Sequence, residues 1–162
     1  MKKLLLLLVI LISLNGYSQY TGATPWENCF GKNTGCKTYV KDGYYVGCSN
    51  IEVTTSVSSS VVVIVKRYGK IMKHAYISKN SSHSIEIPDG TYQVFFYYGN
   101  NWDNFKKMNS DECNSVKGGF TSNESVGKDD SISLNGQIMS YTLSQVTYGN
   151  FSQKSSSLKE AL

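Results

Sequence analysis

The stretch from Ile85 to Gly99, reading IEIPDGTYQVFFYYG, constrains this chain more than any other. Pro88 pins φ, Asp89 bonds back to its own main chain and Gly90 takes a conformation that other residues avoid, so Pro88-Asp89-Gly90 marks a turn between strands. The strand before it is short, His83 to Ile87. The strand after it is apolar on both faces: Tyr92, Val94, Phe96 and Tyr98 on one, and Phe95 and Tyr97 beside Gln93 on the other. Successive side chains of a strand point to opposite sides, so this segment requires cover above and below. It belongs in the centre of a sheet, because a flat aromatic edge invites aggregation.

The neighbouring segments supply partners. Ile51, Val53, Thr55 and Val57 alternate with polar residues, the pattern of a half-buried strand. Val61 to Val65 is continuously β-branched and fits a strand covered on both faces. Tyr68-Gly69 reads as a hairpin turn leading into Ile71–Ser78. Two registers are open there, one placing Met72, His74 and Tyr76 inward and the other Ile71, Lys73, Ala75 and Ile77. The second is preferred, with Lys73 snorkelling to water from a strand end. Val116 to Phe120 and Ser131 to Leu134 are further short strands, and Asn135-Gly136 reads as a hairpin into Ile138–Tyr148. No segment sustains a helical period. The expected fold is all-β, a single antiparallel β-sandwich of about seven strands.

The ends of the chain have other roles. Met1-Lys2-Lys3, the apolar run Leu4–Leu14, and small residues at Gly16 and Ser18 ahead of Gln19 have the layout of a secretory signal peptide. The run is about half the ~20 apolar residues a membrane-spanning helix needs, and no later segment is long enough to cross. The expected organisation is therefore residues 1–18 as a signal peptide, 19–50 as an irregular extension, 51–149 as the sandwich and 150–162 as a flexible Ser/Lys-rich tail. Export to the periplasm, the cell surface or the medium follows. The formal charge of +4 falls to +2 once Lys2 and Lys3 leave. The remaining charges are scattered in sign, which argues against a nucleic-acid partner.

Cys29, Cys36, Cys48 and Cys113 make an even count in an exported chain, which reads as two disulfides. Their spacing lacks the close pairs of a zinc site. Cys29–Cys36 with Cys48–Cys113 is the preferred pairing, and Cys36–Cys48 with Cys29–Cys113 stays open. Without these links the Gly/Asn-rich extension could not hold an ordered backbone.

The strand, the Tyr68-Gly69-Lys70 turn, the return strand and then Ile87-Pro88-Asp89-Gly90-Thr91-Tyr92-Gln93-Val94 resemble the transthyretin-like and PEGA-type modules of exported bacterial proteins. Those share a Pro-x-Gly-x-Tyr-x-Val run and a glycine near the strand's end, where Gly99 stands. The resemblance implies a small β-sandwich used in adhesion or binding, and it transfers no catalytic residue. The extension and residues 101–130 depart from it.

Catalytic groups are sparse. His74 and His83 are both in expected strands, no nucleophile elbow is present, and oxidised cysteines offer no thiolate. The chain reads as non-enzymatic, without a cofactor. Asn100, Asn101, Asp103, Asn104, Asp111 and Glu112 offer oxygen ligands of the kind calcium takes, but without EF-hand spacing. Three Asn-x-Ser sequons match a pattern short enough to recur by chance and carry no weight.

The aromatic excess points to a partner. Gly99–Ser115 reads as a long polar loop, and loops of that length are commonly functional. Within it Trp102 and Phe105, with Asp103 between them and Tyr97 and Tyr98 just upstream, form a candidate contact surface for a protein or a glycan at the cell surface. A buried, lid-like Trp102 is the competing expectation. Two other functions stay open: a secreted enzyme or enzyme inhibitor using loop carboxylates with His74 or His83, and a structural component of an envelope assembly. Nothing in the sequence sets the oligomeric state.

Overall fold

The computed structural model describes residues 19–36, 39–41, 44–143 and 154–162. The expected signal peptide and the strand residues expected beyond Leu143 lie outside the described residues. A small hairpin, β1 (Tyr39–Lys41) with β2 (Tyr44–Val46), leads into a two-sheet body. Strands β3 (Cys48–Thr55), β4 (Ser60–Arg67), β5 (Lys70–Ile77), β6 (Ser82–Pro88) and β7 (Gly90–Lys107) follow. Then come β8 (Lys117–Lys128), β9 (Ile132–Leu134), β10 (Ile138–Leu143) and β11 (Lys154–Ser155). Two short helices, α1 (Glu27–Phe30) and α2 (Leu158–Ala161), complete the described elements.

One sheet has three strands in the order β10-β3-β6. The other has six, β11-β8-β7-β4-β5, with β9 paired to the start of β7. The fold is thus an all-β sandwich, with β7 central in the larger sheet as its two apolar faces demand. Pairing is antiparallel except between β10 and β3, which run parallel. That parallel pair comes from the Asn135-Gly136 turn. It does not close a hairpin, because β9 belongs to one sheet and β10 to the other. The Pro88–Gly90 turn likewise carries the chain from the small sheet to the large one. Asp89 stitches the two crossings together: its Oδ1 accepts from Ser49 Oγ at 2.5 Å and from the Gly136 N–H at 2.9 Å. These bonds, Ser49's first, hold the Asp89 carboxyl below its usual pKa.

The space between the sheets is filled by an aliphatic core with three aromatic rings. Ile51, Val53, Val61, Val63, Ala75, Ile77 and Ile85 meet Tyr92, Phe96 and Tyr141 there. The outer face of the larger sheet is buried too. Val62, Ile64, Tyr76, Phe95, Tyr97 and Phe120 pack beneath Trp26 and Ala23 from the extension and Ala161 and Leu162 from the far end of the chain. Residues 154–162 are therefore placed as strand and helix against the sheet, where a flexible tail was expected.

The two disulfides are Cys29–Cys113 and Cys36–Cys48, with Cα–Cα distances of 5.7 and 5.9 Å. The preferred pairing is overturned. The physical reason is that the extension runs across the outer face toward the β7–β8 turn, which brings Cys29 and not Cys48 to Cys113. On the chain-entropy model a link spanning 84 residues contributes about 4.5 kcal/mol, and one spanning 12 about 3 kcal/mol.

The hairpin register follows the preferred choice in part. Lys73, Ala75 and Ile77 pair with Val65, Val63 and Val61 on the inner face. A bulge at Met72 then moves Ile71 to the outer face with Tyr76. Lys73 does not snorkel to water: it is buried, and its ammonium donates to the Thr34 carbonyl.

The extension also covers the free edge of β5. Gly22 N–H donates to Tyr76 O at 2.8 Å, and Tyr76 N–H donates to Ala23 O at 2.9 Å. Two residues further along the same edge, the Asn33 side-chain amide replaces a missing strand. It donates to His74 O at 2.7 Å and accepts from His74 N at 3.2 Å. An edge strand covered this way offers no template for edge-to-edge pairing.

Candidate functional site

The expected contact loop is a ribbon. β7 runs on to Lys107 and pairs with β8 along this stretch, with an irregularity between Asp103 and Lys107, leaving only residues 108–116 as a connection. The mixed composition conceals a strand because aromatic residues and amides are interleaved here without a clean alternation.

A bulge decides which side is which. Asn101 and Asn123 hold φ of 55° and 53°, and the β7–β8 register shifts between Tyr98 and Asn100. Asparagine tolerates this left-handed backbone better than other residues bearing a Cβ. The shift reverses the alternation, so Trp102 joins Tyr97 on the outer face. Strict alternation would have placed it with Phe96 and Tyr98. The Phe120 side chain lies against Gly99, where a Cβ would overlap it.

The five residues singled out from the sequence consequently part company. Tyr97 is buried: its hydroxyl accepts from the Phe120 N–H at 2.9 Å and donates to Glu124, which pairs with Lys106 at 2.6 Å. Burial first, and then the Glu124 carboxylate, raise the Tyr97 pKa well above the usual phenol range. Tyr98 is half-buried against the inner core, 6.3 Å from the Phe96 ring. Trp102 is half-buried on the outer core, its ring centroid 5.1 Å from Phe120 and 5.5 Å from Tyr76. Its Nε1–H donates to Asn104 Oδ1 at 2.8 Å, and Gln19 reaches the same oxygen at 3.2 Å. Trp102 therefore fulfils the lid expectation more than the contact one. Asp103 accepts from the Phe105 N–H at 2.8 Å, and Phe105 projects into solvent, 83% exposed. Phe105 and Asp103 are what remains of the expected surface, with exposed Asn101 on the same stretch.

The histidines lie elsewhere. His74 is sealed under the extension, its ring 5.5 Å from Trp26 and 5.8 Å from Phe30, and neither nitrogen closes a hydrogen bond of normal geometry. Burial pulls its pKa down to about 4, and the nearby Gly31 backbone offsets only part of that. His83 lines a shallow groove with Glu86, Asn33 and Thr34, and burial lowers its pKa as well. The structure does not bring either histidine to the carboxylates of the ribbon's connection. Of the oxygen-rich residues considered for calcium, Asp103 and Asn104 serve the ribbon itself through the bonds just given. Among the described residues no three His, Cys, Asp or Glu side chains cluster as metal ligands would.

The sequence reading missed the cover over the outer face. Trp26, fully buried with its Nε1–H donating to Gly118 O at 2.9 Å, is the centre of that cover. A tryptophan in an aromatic segment stapled by two cysteines was the available signal. Comparison with protein-family models, with curated proteins and with solved structures finds no match. No resemblance to transthyretin-like or PEGA-type modules is shown by these comparisons.

Proposed function

We propose that this is an exported, non-enzymatic β-sandwich that binds a protein partner through the far end of the β7–β8 ribbon. Two disulfides suit an oxidising compartment. Among the described residues no helix is long and apolar enough to cross a membrane. The observation that carries the reading is Phe105. Every other aromatic of β7 packs on one of the two cores, whereas this one stands in solvent on a ribbon held rigid by Trp102, Lys106 and Glu124. A projecting aromatic with a carboxylate and amides around it is the chemistry of an interface anchor, and an exposed side chain suits a pocket on a partner better than a small ligand.

The test is a photo-crosslinking side chain at position 105 in the producing cells, with a second at exposed Val57 as the control. A discrete adduct formed from position 105 and absent from position 57 is expected. Identical or absent labelling at both positions refutes the ribbon as the contact surface.

A further inference from the structure

At the other end of β7 the β4–β5 turn carries a feature that folding does not require. Tyr68 and Gly69 both have positive φ, 54° and 77°. A two-residue turn of this kind favours Asn-Gly, because a bulky side chain in the left-handed region is strained. Tyr68 is also 89% exposed, so the strain is not repaid by burial. Backbone strain of this sort concentrates at functional positions. The ring is held in place nonetheless. The Arg67 guanidinium sits 5.2 Å from the Tyr68 ring centroid and 5.5 Å from that of Tyr92, a cation between two aromatic faces. Gly90 leaves room for it, since a Cβ there would come within 2.7 Å of Arg67 Nη2.

Tyr68 forms one wall of an open groove of about 420 Å³, inside the range of small-ligand clefts. Phe95 from the outer face and Tyr92 at the start of β7 are among its lining residues. Thr91, Gln93 and Ser131 line it with hydroxyls and an amide, fixed by their own bonds: Thr91 to Ser133 at 2.8 Å and Ser131 to Gln93 at 3.3 Å. Each keeps spare donor or acceptor capacity. Lys66 and Glu160 bring one charge of each sign, the Lys66 ammonium donating to the Glu160 carbonyl at 2.8 Å. The Glu160 carboxylate is itself paired with Lys128, so both of these lining charges are already engaged inside the protein.

We propose that this groove is a binding site for a neutral oligosaccharide, with the Tyr68 ring as its stacking platform. A pyranose ring presents an apolar C–H face and an equatorial rim of hydroxyls. The first matches an exposed phenol ring and the second matches fixed amide and hydroxyl groups. The site is separate from Phe105, thirteen residues further along β7 than Tyr92, and does not depend on the ribbon's partner.

The test is calorimetric titration of the purified protein with cellohexaose, maltohexaose and chitohexaose. Saturable binding to at least one is expected. Tyr68→Asn should weaken it about tenfold, the upper end of what one aromatic contact contributes. The melting temperature should stay the same or rise, because asparagine relieves the turn. Tyr68→Phe keeps the platform and should bind within about threefold of the parent, less than a single aromatic contact is worth. Phe105→Ala should leave saccharide binding unaltered. Absence of binding to all three sugars, or full affinity in Tyr68→Asn, overturns the proposal. Loss of binding in Tyr68→Phe overturns the stacking role.

Discussion

The two faces of the six-stranded sheet are buried by different means. The inner face is covered by strands from the same sandwich, and its core is mostly branched aliphatic side chains whose positions follow from alternation. The outer face is covered by an irregular extension, a terminal turn of helix and a disulfide, and its core is richer in aromatic rings, with Trp26, Tyr76, Phe95, Tyr97 and Phe120 buried against Tyr92, Phe96 and Tyr141 on the inner side. Regular pairing satisfies the inner layer's backbone. The outer layer instead relies on single side chains such as Asn33 and Trp26 to reach backbone groups. Large rings suit it because each buries much area without needing a precise repeat. The lesson is that one sheet can be finished by two different strategies, and the second depends on covalent links.

Removing the link between layers should separate them most. Replacing Cys29 and Cys113 by serine is expected to cost about 4.5 kcal/mol, seen as a lower denaturation midpoint. Hydrogen exchange should show the amides of β5 losing protection well before those of β3 and β6. Equal loss in both sheets would break the distinction. Trp26→Ala should cost about 4 kcal/mol as a large-to-small change in a closed core. It should also expose the β5 edge, read by the same exchange experiment.

Acid probes the outer layer without any mutation. The His74 pKa lies near 4 in the fold and near 6.5 when unfolded, so between those values the unfolded chain binds more protons. Stability falls as pH drops through that window, by up to about 3 kcal/mol, and does not change on account of this group above it. The paired carboxylates Asp89, Glu124 and Glu160 have lowered values and begin to lose their share only below their unfolded pKa. The upper half of the window therefore belongs to the histidines. Urea midpoints measured at intervals from pH 7 to 5 should decline in the parent and nearly flatten in His74→Gln, with residual slope from His83. An unaltered slope in the variant would remove His74 from the account. The smallest effect belongs to Asn33→Ala. It strips partners from two backbone groups of a buried edge residue, for about 1–2 kcal/mol, with faster exchange confined to residues around His74.

Much of this arrangement was legible before any coordinates. The two-faced character of Val61–Val65 and Tyr92–Tyr98 announced a central strand pair, and the Pro88-Asp89-Gly90 turn marked where the chain changes direction. Locally encoded features of this kind depend on residues a few positions apart. The candidate site was less legible. Trp102 and Phe105 were singled out together, yet the register shift between Tyr98 and Asn100 turned Trp102 onto the outer core, and Phe105, inside a second shift between Asp103 and Lys107, stands in solvent. Alternation cannot foresee such a shift, because a single inserted residue reverses every side chain after it. Asn135-Gly136 misled for a related reason: the dipeptide specifies a turn, and only Ser49 and Asp89 across the sandwich decide that it changes sheets.

The order of residues was enough to establish the all-β character, the presence of an aromatic central strand and the involvement of four cysteines, since each depends on side-chain type and short-range periodicity. Disulfide partners, the buried outer face, the plugged edge of β5 and the isolation of Phe105 and Tyr68 were settled by three-dimensional packing. Those depend on which distant segments compete for the same apolar surface, and that competition is resolved only when the whole chain has closed.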